Sequence, residues 1–200
     1  MAQRVAVIGA GPGGLVSARW LLAHGFEPTL FEQAPTLGGQ WTGLPGTSGV
    51  WPAMYTNTSR ILTAFSDLAH DGDETFLANA DVLAYLQRYA EMFGLDDRIR
   101  LHSRVSQVRR SGTDAQEPWI VEHDGTAEAF DKVVVASGRF QTPEMAPMPG
   151  LDTFTGAHGA VATYHFRNSD DYRDSRVLVA GCAVSALEIA SELARRGEAR

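Results

Sequence analysis

The amino-acid sequence predicts an α/β fold with a parallel sheet in three layers, followed by the start of a second unit of similar pattern. Three observations carry this. The run Arg4–Ile8 (RVAVI) is short and β-branched, as a strand buried on both faces requires. It passes directly into the turn Gly9-Ala10-Gly11-Pro12-Gly13-Gly14 and a helical pattern over residues 15–24, with Gly25 placed to cap it. The same order of strand, small-residue turn and helix returns at residues 176–180 (RVLVA), Gly181, and a helix running to Arg196. Such alternation makes βαβ units and a Rossmann-like sheet.

Residues 28–32 (PTLFE) supply the second strand of the first unit. Residues 33–60 are rich in Gly, Pro, Thr and Ser and contain Trp41, Trp51 and Tyr55; so long a loop in a compact domain is usually functional. Residues 81–93 read as an amphipathic helix, with Val82, Leu86, Ala90 and Phe93 on one face, Asp81 capping its start and Gly94 its end. Short strands are expected over 99–108, 119–123 and 132–136. Pro143, Pro147 and Pro149 then mark a domain edge or crossover. The final helix should bury Ala183, Leu187, Ala190 and Leu193 or Ala194, with Gly197 as its cap. A dinucleotide unit needs a further strand after that helix, so the sequence reads as truncated at Arg200.

Composition narrows the partners. With 17 basic against 24 acidic residues the formal charge is -7, and no basic block exceeds the pairs Arg109-Arg110 and Arg195-Arg196. This gives no reason to expect nucleic acid or an anionic membrane. The single cysteine, Cys182, cannot make an internal disulfide, fits a reducing compartment, and reads as a small buried residue. No signal peptide fits before Arg4 and no apolar stretch approaches the ~18 residues of a membrane helix, so a cytoplasmic protein is expected. The six histidines show no ligand spacing and no metal is expected. Asp67, Asp71, Asp73 and Glu74 read as a solvated acidic turn.

The first turn fits G-x-G-x-x-G. Gly9 permits the tight turn, Gly11 lets the backbone approach a pyrophosphate, Gly14 allows helix–strand packing, and the helix N-terminus favours the phosphate charge. Glu32 lies 18 residues after Gly14, at the end of the second strand, where a carboxylate can accept ribose hydroxyls.

These residues together resemble the flavin-containing monooxygenase family, which also includes Baeyer–Villiger and N-hydroxylating enzymes. The likeness runs in family order through Gly38-Gly39-Gln40-Trp41, Tyr55-Thr56-Asn57-Thr58-Ser59-Arg60, Ser66-Asp67, Val133-Val134-Val135-Ala136-Ser137-Gly138, Phe154-Thr155-Gly156, Tyr164 and Gly181-Cys182-Ala183-Val184-Ser185-Ala186. The resemblance implies an FAD-binding domain over 1–160 and the start of an NAD(P)H-binding domain over 161–200. It implies that Gly9, Ala10, Gly11, Pro12, Gly13, Gly14 and Glu32 hold the FAD pyrophosphate and ribose, and that Gln40 and Trp41 line the flavin. Thr56 and Asn57 would sit at the flavin–nicotinamide junction, with Asn57 as the catalytic amide. Gly181, Ser185 and Ala186 would receive NADPH, with NADH as an alternative. The implied reaction passes an oxygen atom from O2, through a C4a-hydroperoxyflavin, to a nucleophilic N or S of a small molecule; a homodimer is compatible with it. Trp51 reads instead as a loop-anchoring core aromatic.

The sequence departs from the family pattern in two places. Counting from Phe154 puts Ala160 where the family carries a His, with His158 two positions early. The second turn reads G-x-A-x-x-A, and Ala183 places a methyl group where backbone should approach phosphate. Alternatives are a Baeyer–Villiger ketone oxygenase, against which the Thr56-Asn57 pair argues, and a nucleotide-binding module without turnover. A flavin disulfide reductase is excluded because residues 38–43 hold no cysteine pair.

Overall fold

The computed structural model describes residues 2–114, 117–140 and 142–198. Its elements are β1 Arg4–Ile8, α1 Pro12–Ala23, β2 Glu27–Phe31, α2 Arg60–Thr63, α3 Asn79–Met92, β3 Ile99–Arg100, β4 Val105–Arg110, β5 Trp119–His123, β6 Thr126–Phe130, β7 Lys132–Val135 and α4 Val184–Glu198. The parallel sheet has the order β3-β2-β1-β7, and a separate antiparallel sheet has the order β4-β5-β6.

The two-residue period of β1 explains the layering. Val5 and Val7 face one side and join a core with Leu15 and Ala18 of α1, Leu30 of β2, and Val82, Tyr85, Leu86, Tyr89 and Ala90 of α3. Ala6 faces the other side and packs with Phe31, Val121 and Phe130, so the antiparallel sheet covers the second face. The three layers are therefore helices, parallel sheet and antiparallel sheet. Helix α3 shows the spacing expected of one buried stripe, Val82, Tyr85, Leu86, Tyr89 and Ala90. It starts two residues earlier than the periodicity suggests, and Asp81 lies in its first turn rather than at its cap. Gly25 and Gly94 follow their helices with positive φ, as C-terminal glycines do.

The expected strand over 99–108 divides into β3 and β4, which belong to different sheets, with His102 at positive φ between them. Strand β6 was hidden by its alternating small and polar residues, TAEAF. The acidic turn is not uniformly solvated. Asp67 accepts from the Tyr89 hydroxyl and pairs with Arg19, and Asp71 pairs with Arg88.

The last part departs most from expectation. Residues 176–180 form no strand, and Leu178 is 91% exposed. A strand exists only through ladder partners, and none lies beside this run among the described residues. Accordingly α4 buries Ala186 and Ile189, not Leu187 or Ala190, because its packing partners are Trp51 and Phe166 rather than a sheet. Gly197 lies within the helix rather than after it. Cys182 is exposed, not buried. No described helix is long and apolar enough to cross a membrane.

Candidate functional site

Strand β1 ends at the glycine turn, and three glycines there have three different causes. Gly9 has φ +104, and a Cβ on it would lie 2.5 Å from the Ala136 carbonyl oxygen at the end of β7. A Cβ on Gly14 would lie 1.9 Å from the Gly9 carbonyl oxygen, so close helix–strand packing alone demands glycine. Gly11 meets Gly39: a Cβ on Gly11 would lie 3.4 Å from the Gly39 Cα, and one on Gly39 3.0 Å from the Gly11 Cα. The two glycine-rich segments thus abut, and the Gly38 N–H donates to the Ala10 carbonyl at 3.0 Å. Gly13 is exposed, and a Cβ there would meet nothing closer than the Ala136 Cβ at 3.9 Å.

Helix α1 begins at this turn with Gly11 as N-cap, Pro12 at its first position, and no side-chain cap. The first-turn N–H groups of a helix lack intrahelical acceptors and carry the positive end of its dipole. Glu32 closes the other side. It is 7% exposed; its Oε2 accepts from the Ala10 N–H at 2.8 Å and its Oε1 from the Ala34 N–H at 2.9 Å. An ionised carboxylate offers about four lone-pair sites, so two backbone donors leave capacity for hydroxyl donors. An uncapped helix start, a side-chain-free turn and an acid at the adjoining strand end fit an adenine dinucleotide.

Gln40 and Trp41 lie in a short 3-10 turn, Gly39–Thr42, with Gln40 exposed and Trp41 half-buried against the main core. Their carrier loop is held by the Ser48 hydroxyl, which donates to the Gln40 carbonyl, and by the Arg167 guanidinium, which donates to the Ser48 carbonyl at 2.9 Å. Thr56 is buried, whereas Asn57 beside it is exposed. Asn57 lines an open depression of about 560 Å³ with Tyr55, Thr56, Glu74, Thr75 and Phe76. Both loops rest on the start of α3. Gly38 packs against Leu83, and the Asn79 N–H donates to the Met54 carbonyl at 3.0 Å. Helix α3 is the common platform, a role that sequence reasoning missed because nothing in its pattern names the loops it carries.

The second turn stands apart. Gly181 has φ +133, Ser185 is half-buried and Ala186 is buried. Its helix is tied to the loop that carries Gln40 and Trp41 by Trp51, which is 2% exposed. The Trp51 indole N–H donates to Glu192 Oε2 at 2.8 Å, and its ring meets Phe166 edge-on at 5.5 Å. Trp51 thus has the anchoring position its sequence context suggested, but its partners lie too far along the chain to be read from spacing. Ser48, Arg167 and Glu192 carried no sequence signal at all. The His158 ring lies beside Tyr172 and within 3.3 Å of the Ser175 hydroxyl, while Ala160 is exposed.

Burial raises the Glu188 carboxyl above its ordinary range and lowers the His70 imidazole below its own. Neither group belongs to the turns described above. Among the described residues no group of His, Cys, Asp and Glu is arranged to hold a metal ion.

The chain is 32% identical over 207 residues to dimethylaniline monooxygenase [N-oxide-forming] 2 of Cavia porcellus, covering 98% of this chain and 38% of that one. It is similar to the S-allyl-L-cysteine S-oxygenase structure from Allium sativum, with a TM-score of 0.86 and 28% identity over 98% of this chain and 49% of that one. It also resembles a cyclohexanone monooxygenase mutant from Rhodococcus sp. Phi1 bound to NADP+, with a TM-score of 0.63 and 28% identity over 78% of this chain and 30% of that one. The chain therefore spans under two fifths of the length of the curated relatives it matches. A flavin-binding monooxygenase-like family model matches residues 2–199, and the chain belongs to that family.

Proposed function

We propose that this protein is an FAD-dependent, NAD(P)H-consuming monooxygenase that places one oxygen atom of O2 on a nucleophilic nitrogen or sulfur of a small molecule. The observation that carries the reading is the meeting of the Gly9–Gly14 turn with Gly38-Gly39 beside the buried Glu32. A bound flavin, once reduced by the nicotinamide, would supply the activation of O2. The residues of this chain do the remainder. The backbone of Gly11, Gly13 and Gly14 receives the pyrophosphate at the start of α1, Glu32 accepts from ribose, and Gln40 and Trp41 border the flavin. Gly181, Ser185 and Ala186 receive the nicotinamide dinucleotide, which divides the chain near residue 160.

Asn57 is the catalytic amide in this reading. It can donate and accept without changing charge over the working pH range, and it lines a depression bordered by both the 55–57 and 74–76 segments. Its task is to hold the site's reacting edge while water is kept out, because solvent entry diverts O2 to hydrogen peroxide. Nitrogen and sulfur are preferred as acceptors because relatives named as N-oxide-forming and S-oxygenase enzymes match nearly the whole chain. A ketone remains the second reading, since a cyclohexanone monooxygenase also matches.

The test is oxygen-dependent NADPH oxidation by the flavin-loaded full-length protein against panels of amines, sulfides and ketones. Product from amines or sulfides supports the proposal, and product from ketones alone turns it to the second reading. Asn57→Ala should keep the flavin and raise the peroxide released per NADPH; an unchanged ratio removes Asn57 from the mechanism.

A further inference from the structure

We propose that Thr56 is a positioning residue that acts through Asn57 rather than a contact to the cofactor. This rests on the reading of Asn57 as the catalytic amide. The observation is a contrast within one short run. Tyr55, Asn57 and Thr58 are exposed, while Thr56 between them is 7% exposed.

The hydroxyl of Thr56 gives its one proton to a partner inside the protein. It donates to the Thr58 carbonyl at 2.8 Å, across Asn57, and accepts from the Leu77 N–H at 3.0 Å. A hydroxyl has one proton to give, so Thr56 has none left for a ligand. The backbone completes the clip. The Thr56 N–H donates to the Leu77 carbonyl at 2.9 Å, Tyr55 pairs antiparallel with Ala78, and the Arg60 N–H donates to the Thr75 carbonyl at 2.9 Å. Leu77 is itself buried in the main core, two residues before α3.

The consequence is geometric. The Thr56 hydroxyl bridges to the Thr58 carbonyl across Asn57, and Thr56 is itself tied to Leu77, so the two residues flanking Asn57 are linked to each other and to the core, while the Asn57 carboxamide makes no hydrogen bond among the described residues. An exposed amide can hold a useful direction only if its backbone does not move. Misplacement by about 1 Å can cost roughly a hundredfold in rate. Thr56 supplies the constraint, and α3 supplies the fixed end.

The test uses Thr56→Val, which keeps the shape and removes the hydroxyl, and Thr56→Ser, which keeps the hydroxyl. Amide hydrogen exchange at Leu77 should speed up roughly 5- to 100-fold in the valine variant, the range expected when a buried N–H loses its acceptor. In the flavin-loaded full-length protein the peroxide released per NADPH should rise toward the Asn57→Ala value, with FAD affinity within twofold of wild type. Serine should restore both readings. In the Asn57→Ala background, adding Thr56→Val should leave the peroxide ratio where it was, an outcome that a merely structural role does not produce. If the valine variant does not fold, Thr56→Ala is read in the same way. Weakened FAD binding with unchanged exchange at Leu77 would make Thr56 a direct contact and overturn the inference. So would additive effects of the two substitutions. If Asn57→Ala alone leaves the ratio unchanged, the functional reading fails instead, and the exchange result still reports the clip.

Discussion

Three glycines within four positions make the sharpest prediction, because the structure surrounds each one differently. At Gly14 the reason is packing: a methyl group would penetrate the Gly9 carbonyl by more than an ångström, and both atoms belong to backbone. Overpacking of this kind typically costs about 1–3 kcal/mol, and a rigid backbone neighbour puts Gly14→Ala at the top of that range. For a chain of 200 residues, with about 2–4 °C of Tm per kcal/mol, the loss should approach 10 °C. At Gly13 nothing opposes a Cβ closer than 3.9 Å, and the residue lies in a helix. Gly13→Ala should therefore be neutral or gain about 0.5 kcal/mol, since alanine loses less backbone entropy on folding, and it should retain the flavin.

Gly11 separates stability from ligand binding. Its Cβ would come no closer than 3.4 Å to Gly39, and its φ of -78 is open to any residue. Replacing a glycine N-cap by alanine costs at most about 1 kcal/mol. Yet the methyl group would occupy the approach to the start of α1, where phosphate is proposed to sit. Gly11→Ala should keep its fold, within about 4 °C of wild type, and lose at least tenfold in FAD affinity, about 1.4 kcal/mol. The assays are thermal unfolding of the apoprotein and fluorescence titration with FAD. Undiminished FAD affinity in Gly11→Ala would refute the cradle; wild-type stability in Gly14→Ala would refute the packing argument.

Three further outcomes are expected. Trp51→Phe keeps the edge-on ring contact with Phe166 but leaves Glu192 without its donor; a hydrogen bond to a charged group contributes about 1.5–3 kcal/mol, so urea unfolding should show a loss in that range, and no loss would show the bond to be idle. Tyr85→Phe removes a hydroxyl that accepts from the Phe65 N–H at 2.7 Å and donates to the Leu68 carbonyl at 2.8 Å, so exchange at Phe65 should accelerate while that of the β1 amides does not; equal acceleration in both would show global rather than local loosening. Glu128 is held at about 2, first by the Arg100 hydrogen bond and also by His123 and Arg4, against the opposing effect of burial. Because its folded value lies below its unfolded one, the stability it contributes is present above about pH 4.5 and disappears as pH falls toward 2. Glu128→Gln should flatten the acid limb of the stability curve in that window, and a parallel limb would assign the acid loss to other carboxylates.

The legible parts of this chain were those whose cause is local. The strand β1, the glycine turn and α1 follow one another without a gap, and Gly9 and Gly14 carry backbone constraints that no other residue meets. The spacing of Val82, Leu86 and Ala90 likewise placed α3. The failures share the opposite cause. Residues 176–180 have the composition of a buried strand, yet composition supplies only the tendency, and a ladder needs a neighbour. With Trp51 and Phe166 as the available surface, α4 turned Ala186, Ile189 and the expected Leu193 inward, and left Ala183, Leu187 and Ala190 exposed.

The candidate site divides along the same line, and this bears on how Asn57 works. The motif residues could be picked out one by one, but what makes them a site is their attachment to α3. Gly38 packs on Leu83, Met54 holds the Asn79 N–H, and Thr56 is bonded to Leu77 two residues before the helix begins. A helix buried along Tyr85, Leu86, Tyr89 and Ala90 cannot shift without disturbing the core shared with β1. The glycine turn on β1 and the Asn57 loop are thereby referred to one rigid body, although no motif residue of the first touches the second in sequence. That arrangement requires Leu86→Ala, which opens a cavity in the shared core one turn along α3 from Leu83 and should cost about 2–5 kcal/mol, to raise the peroxide ratio of the flavin-loaded full-length protein as well as to lower its Tm. A variant that lost stability but kept wild-type coupling between NADPH and O2 would show that the two loops hold their relation without α3.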